Sequence, residues 1–524
     1  MVHAIPSIRS LAPVIAGLAL ARAGLTAGSY GSYVGTDGGM FADSTTLLML
    51  LVMALGLIAL MTTRHAFTDR TVRRTSAALM TAEGALLAIE ATLAALGALE
   101  GSARLLLSSG VALAASGAMF FWLRLAKGAP SALAVTLVFG ALAASELILW
   151  AFALMPYPAA LALAALGALG QLPAMRAVPT RKAAAAEEPS AEGEPAPPTY
   201  FGVSRKRMED AAFLVATAFG IGLMGVVAGL LRGYPDGLPI AFTPGTRAAY
   251  ALLTMAASVA LVVLAQRGTR LVMTITVWVL VQLMACAALV GYALWPEAWE
   301  VGAVFAGSLN SLMLGVVCYT IIAFETHGWR DAAYYALAGW LVWFGSRTLA
   351  RLGLLALHPF SMDTLAVNAV MTALIVSSTQ MLFASYLRNV ALNADDDAQA
   401  AEKALAAAAE AAEASAEPSS PAPSGATPAV PLARLMGLDG PQAPASERQV
   451  AMQRSIAQLG NQFLLSEREV EVLTLYAQGY TQKRVAEALF ISQGTAHTHI
   501  KRIYTKTGMH SRQDILDYLE KYVS

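Results

Sequence analysis

Along most of this chain the apolar residues come in unbroken runs, separated by short breaks that carry Arg, Gly or Pro. A helix rising 1.5 Å per residue needs about 20 apolar residues to cross a hydrocarbon core. Twelve such runs occur, near 11–34, 43–63, 76–99, 103–123, 131–155, 157–174, 209–231, 247–266, 271–294, 301–323, 332–356 and 363–387. The first has the Ala-rich look of a cleaved signal, but losing it would leave eleven spans, so it is kept as the first helix. The pattern predicts an all-α chain: one membrane half over 1–175, a polar connection over 176–208 and a second half over 209–388. Residues 389–460 follow as an Ala/Glu/Pro-rich linker, and 461–524 return to helical periodicity with polar faces.

Composition agrees. The chain is 57% hydrophobic and 13% charged, about half the charged share of a soluble domain. The net charge of zero hides segregation. One set of loops holds Arg64, Arg70, Arg73 and Arg74, then Arg124 and Lys127, the basic residues between Arg176 and Arg207, Arg267 and Arg270, and Arg330. The opposite set holds only Arg104, Arg232 and Arg247. The positive-inside rule then places both termini of a multi-pass membrane protein in the cytoplasm. Cys286 and Cys318 both lie within apolar runs. They imply neither a disulfide framework nor a zinc site, and no metal or other cofactor is expected.

Several charges fall inside the apolar runs, where each costs about 2.5–3.5 kcal/mol at a helix centre. Arg22, Glu90, Glu146 and Arg347 sit near the middle of their spans, and Arg351 lies further out. Trp340, Phe344, Arg347 and Arg351 recur on one helical face. Together these seven residues outline a cavity for an anionic or aromatic small molecule, held by charge pairing and cation–π contact. The alternative is that Glu90 or Glu146 pairs with Arg22 or Arg347 and simply locks helices together.

Past Arg388 the chain turns acidic at Asp395–Asp397, runs as an Ala/Glu tract to about 416, and then reads EPSSPAPSGATPAVP. About 70 residues of this composition have an r.m.s. reach of roughly 45–50 Å, too loose a tether to pass on a helix rotation. In the last segment, Ser466 with Glu469 forms a capping box. Thr481 caps a second helix, and Ser492 caps a third that runs to Gly508. A fourth occupies 512–522. The third buries Ala496, Ile500 and Ile503 and has no acid between Gln493 and Thr507. Two helices joined by a tight turn, the second cationic, form a helix-turn-helix pattern whose lysines and arginines meet phosphates while its first turns reach base edges. The candidate DNA-binding residues are Lys483, Gln493, Thr495, His497, Thr498, Lys501, Arg502, Thr505 and Lys506.

From Leu464 to Leu519 this segment closely resembles the LuxR/NarL class of DNA-binding domains. Glu469, Leu473 and Gly479 occupy that family's most constant places. The resemblance implies phosphate contacts at Lys483 and Thr495, core-facing roles for His499 and Ile503, and pairing of two chains through 512–522 on two-fold related half-sites. Ala496, His497 and Thr507 depart from the usual Val, Lys and Leu. His497 thus stands where the resemblance usually places a lysine's basic contact. The loop HAFTDRTVRR at 65–74 resembles the signature of the major facilitator superfamily through Asp69, Arg70, Arg73 and Arg74, with His65 and Val72 in place of its glycines. Six helices plus six around a long connection is also that family's architecture.

These readings imply a non-enzymatic, membrane-bound, one-component transcriptional regulator. It would bind promoter DNA as a homodimer under the control of a small molecule sensed in the lipid-embedded domain. The alternative is a secondary transporter with a regulatory DNA-binding tail, and a third reading makes the membrane part a passive anchor.

Overall fold

The computed structural model describes residues 8–30, 38–62, 67–178, 200–201, 203, 208, 210–235, 237–238, 240–268, 272–328, 330–357, 363, 365–380, 459, 463, 465–477, 480–489, 493–507, 509, 514–515 and 518. The linker expected over 389–460 lies outside these residues except for Leu459, as does most of the helix expected over 512–522. The chain divides into two compact units, Met1–Glu410 and Ala411–Ser524.

The first unit is built from α1 (Ile8–Tyr30), α2 (Gly38–Thr62), α3 (Asp69–Ala95), α4 (Gly101–Leu125), α5 (Ser131–Ala153) and α6 (Tyr157–Ala177). It continues with α7 (Ala211–Arg232), α8 (Pro244–Gln266), α9 (Val277–Leu294), α10 (Glu300–His327) and α11 (Ala332–Leu357), and ends with α12 (Leu365–Gln380). A π-helical turn, Val272–Thr276, leads into α9. Polar side chains set several starts. Thr68 Oγ1 accepts from Thr71 N at 3.3 Å before α3, and Asp210 Oδ1 accepts from Ala212 N at 3.0 Å before α7. Thr243 caps α8, and Pro244 takes the first position, where a missing N–H costs nothing.

Ten of these helices are long and apolar enough to cross a membrane. Neither α11, which carries Arg347 and Arg351, nor the shorter α12 is among them. Leu51, Leu55 and Ile58 of α2 are 58%, 69% and 58% exposed, a surface that water would penalise and lipid would not. By contrast, α10 is almost entirely enclosed. The first six helices pack among themselves, α1 against α4 and α6 and α3 against α4 and α6. In the second six, α7 lies on α11 and α9 on α10. The two sets meet along α5/α8 and α2/α11, with α10 reaching α4 and α5.

The connection between the sets differs from expectation at its end. Tyr200, Phe201, Val203 and Met208 belong to the core of the bundle instead of a solvated loop.

The second unit contains α13 (Glu467–Ala477), α14 (Gln482–Ala488) and α15 (Gln493–Thr507). Val472, Leu473, Val485, Ala496, Ile500 and Ile503 close a separate small core, joined by Leu459 from the preceding segment.

Candidate functional site

In the second unit, α15 buries Ala496, Ile500, Ile503 and Thr507, which recur at four, three and four residues. The opposite face therefore presents Thr495, His497, Thr498, Lys501, Arg502 and Thr505, all of them exposed. Thr498 Oγ1 and Thr505 Oγ1 donate to the carbonyls of Gly494 and Lys501, both at 2.9 Å, which leaves their oxygen lone pairs outward. The side chains of Lys483 and Gln493 lie outside the described residues.

Lys506 is placed differently from the other expected phosphate contacts. Its Nζ reaches Glu469 Oε2 at 2.6 Å, on α13. Glu469 is also the capping acid, accepting from Ser466 N at 2.8 Å, while Ser466 Oγ accepts from Glu469 N at 3.3 Å. Burial works to raise the Glu469 carboxyl, but the ammonium and the Ser466 donors outweigh it and hold the group below the usual carboxylate range. Lys506 thus joins α15 to α13 while staying partly exposed, and Lys501 and Arg502 stand exposed beside it.

Within the membrane unit the seven expected cavity residues separate into three groups. The first centres on Glu146, which is fully buried. Its Oε1 accepts from Arg22 Nη2 at 2.5 Å and Tyr250 OH at 2.9 Å, and its Oε2 from Arg247 Nη2 at 3.2 Å. Arg22 also donates to Ser145 Oγ at 2.6 Å and Ser311 Oγ at 3.0 Å. The cluster therefore ties α1 and α5 to α8 and α10. It lies toward the ends of α1 and α5 and the starts of α8 and α10, away from the α4–α5 turn.

The loop position expected for Arg247 is corrected by the fold. The residue lies in the first turn of α8 and is 1% exposed. The signal for this is the Thr243–Pro244 start, which puts Arg247 inside the helix.

The second group is the α11 face. Trp340 Nε1 donates to Ser116 Oγ at 3.1 Å, and its ring meets Phe120 edge-on at 5.1 Å. The Arg347 guanidinium lies 4.7 Å from the Phe344 ring centroid and donates to Asn310 Oδ1 at 3.1 Å. Arg351 pairs with Asp43 of α2 at 3.1 Å, a partner that sequence reasoning missed.

Glu90 stands apart as the third. It accepts from Ser108 Oγ at 2.8 Å, and its other oxygen lies against Gly28 of α1. Two turns back along α3, Glu83 accepts from Gln171 Nε2 at 3.1 Å, and Gln171 accepts from Trp122 Nε1 at 2.9 Å. These hydrogen bonds lie within the first six helices and do not reach α11.

In the signature-like loop, Asp69, Arg70, Arg73 and Arg74 form the first turns of α3. Arg73 donates to the carbonyls of Met175 and Val178 at 3.2 Å each, satisfying the C-terminal end of α6. Among the described residues there is no cluster of side chains with metal-binding geometry.

The fold and these sites define an all-α chain that joins a lipid-facing helix bundle to a helix-turn-helix module. Residues 464–519 match the family described as bacterial regulatory proteins, luxR family. This part of the chain is a LuxR-type helix-turn-helix domain, a transcription-regulating class whose partner is DNA. It is 43% identical over 58 residues to the oxygen regulatory protein NreC of Staphylococcus aureus, in strains JH9 and USA300 among others. The chain spans 27% of the length of those relatives, and the match takes in 11% of its own.

The membrane unit is only loosely similar to solved structures. One is a bacterial homologue of the iron transporter ferroportin in an outward-facing state, with TM-score 0.46, 13% identity, and 73% of this chain and 100% of that one covered. Another is the major facilitator superfamily transporter FucP in the outward conformation, with TM-score 0.41, 12% identity, and 74% and 99% covered.

Proposed function

We propose that the chain is a membrane-bound one-component transcriptional regulator. The observation that carries this is a LuxR-type module following a bundle that presents apolar side chains where lipid would lie. The reading extends to twelve crossings in two sets of six with both termini cytoplasmic, as in the major facilitator superfamily. It further extends to chains that pair through 512–522 on promoter DNA. Lys501 and Arg502 neutralise phosphates, and Thr495, His497 and Thr498 approach base edges from the first turns of α15. No chemical step is part of this function.

The sensing site is the Arg22–Glu146–Arg247 cluster with the α11 face beside it, and Glu90 lies outside it. Two guanidiniums sharing one carboxylate suit a small anion that takes Glu146's place, with Tyr250 and Ser311 as further donors. Because the cluster bridges both sets of helices, such a ligand shifts how they pack, which is the differential contact a population shift requires.

The test uses the full chain in nanodiscs with DNA from upstream of its own gene. Binding should weaken steeply with salt, and Lys501→Ala with Arg502→Ala should reduce the slope of log K against log salt by about 0.9 for each phosphate no longer neutralised. An unchanged slope would refute the role given to α15. Flux measurements in vesicles separate sensor from transporter: binding without saturable flux is expected.

A further inference from the structure

The segment joining the two sets of six helices ends in Tyr200, Phe201, Val203 and Met208, which are 0%, 2%, 1% and 2% exposed. A polar connection at a membrane surface has no need to bury two aromatic rings. Tyr200 OH donates to Ala129 O at 2.6 Å in the α4–α5 turn, and so hooks the first set. Its ring packs edge-on against Tyr319 at 5.6 Å and His327 at 5.7 Å, both on α10 of the second set. Phe201 meets Tyr319 at 5.1 Å, and its carbonyl accepts from Thr274 Oγ1 at 3.1 Å in the π-helical turn before α9. Phe201 also holds φ at 54°, a region that bulky residues avoid unless their surroundings enforce it.

Around this wedge the two sets touch directly. Gly128 N donates to Thr326 Oγ1 at 2.9 Å, Ser131 and Tyr319 share a hydroxyl contact at 2.7 Å, and Arg124 pairs with Asp331 at 3.1 Å. Next to Thr326, Glu325 is 1% exposed, and neither carboxylate oxygen has a hydrogen-bond partner among the described residues. Those atoms gain water only if this end of the bundle opens. The wedge and the buried carboxyl therefore pull in opposite directions, as a two-state element requires.

We propose that Tyr200, Phe201 and Val203 form a tethered peptide ligand. Tyr200 and Phe201 fill an aromatic site formed by Ala129, Thr274, Tyr319, Thr326 and His327, and so hold the two sets of helices together at the α4–α5 end. The site takes a tight turn bearing two adjacent aromatic rings, supplied by the chain itself. Its release is the movement that opens this end, whether the domain senses or transports.

The test uses the full chain carrying Cys286→Ala, so that Cys318 is the one thiol left. Cys318 is 3% exposed and adjoins Tyr319. Inside-out vesicles are treated with a membrane-impermeant maleimide, and Cys318 labelling is followed over time. Labelling should be slow without further change and faster by about fivefold in Tyr200→Phe, the shift expected from removing one buried hydrogen bond. It should be faster still in Tyr200→Ala with Phe201→Ala, while labelling of right-side-out vesicles stays as it was. Unchanged rates from the inside would overturn the proposal, and if the double variant fails to fold, Tyr200→Phe decides alone. Faster labelling with unaltered promoter binding would uphold the tethered ligand and count against the sensing function, so the two fail separately.

Discussion

Glu146 shows what a single side chain contributes here. Two arginines and a tyrosine converge on a carboxylate that is fully buried. Removing one member of such a pair leaves its partner charged in a dry interior, at about 3–5 kcal/mol. Glu146→Gln, which takes the shared carboxylate from two guanidiniums, should therefore lower the thermal midpoint of the purified protein sharply, and adding Arg247→Met should recover part of the loss. Arg124→Met, which breaks a pair that is 23% exposed on the arginine side, should cost under about 1 kcal/mol. A double variant no better than Glu146→Gln alone would mean that the pair carries no mutual dependence.

In the module, Ser466→Ala removes a cap worth about 1 kcal/mol, readable as a shift in the urea midpoint. The Glu469 carboxyl is depressed in the folded state. Its contribution is present above the unfolded value near 4.3 and is lost as pH falls through the lower folded value. The gap in urea midpoint between the unsubstituted protein and Lys506→Met should thus narrow under acid.

Close helix crossings depend on glycine. A Cβ on Gly229 of α7 would drive into the Arg347 carbonyl oxygen on α11, and backbone cannot swing aside as a side chain can. Gly229→Ala should destabilise the fold or displace α11, whereas Gly345→Ala on α11, with nothing within 4 Å, should be silent in the same melt. Crossings of this kind were not legible in the chain, because a glycine inside an apolar run looks the same whether or not a neighbour presses on it.

What was legible was local. Runs of lipid-compatible residues marked the membrane helices, and Ser466 with Glu469 marked the start of α13 to the residue. The buried pairings were not, since Asp43 with Arg351 and Tyr200 with Tyr319 join residues far apart in sequence. Tyr200 did leave a trace: Tyr200, Phe201 and Val203 are an apolar patch at the end of a stretch rich in Pro, Ala and Glu. The pairing of Lys506 was hidden for a different reason. The side chain's charge suited phosphate, and only the return of α13 against α15 brings Glu469 to meet it.

At the scale of the whole molecule, the proposed function has a bundle in lipid and a reader of DNA communicate through residues 389–460, whose composition predicts a loose tether. The two ends of such a chain influence each other through effective concentration, which varies only as a weak power of length. Deleting 417–431 should then change promoter occupancy by no more than about twofold, measured by footprinting in cells. A lever passing rotation from α12 to the module would instead lose its effect with that deletion. Replacing residues 1–388 with an unrelated single span makes the complementary cut. The reader stays at the membrane at a similar local concentration, so DNA binding should persist, but everything that Arg22, Arg247 and the α11 face provide is gone. Under the proposed sensing function, promoter activity should then no longer respond to a small molecule, and a response that survived the exchange would reduce the bundle to an anchor.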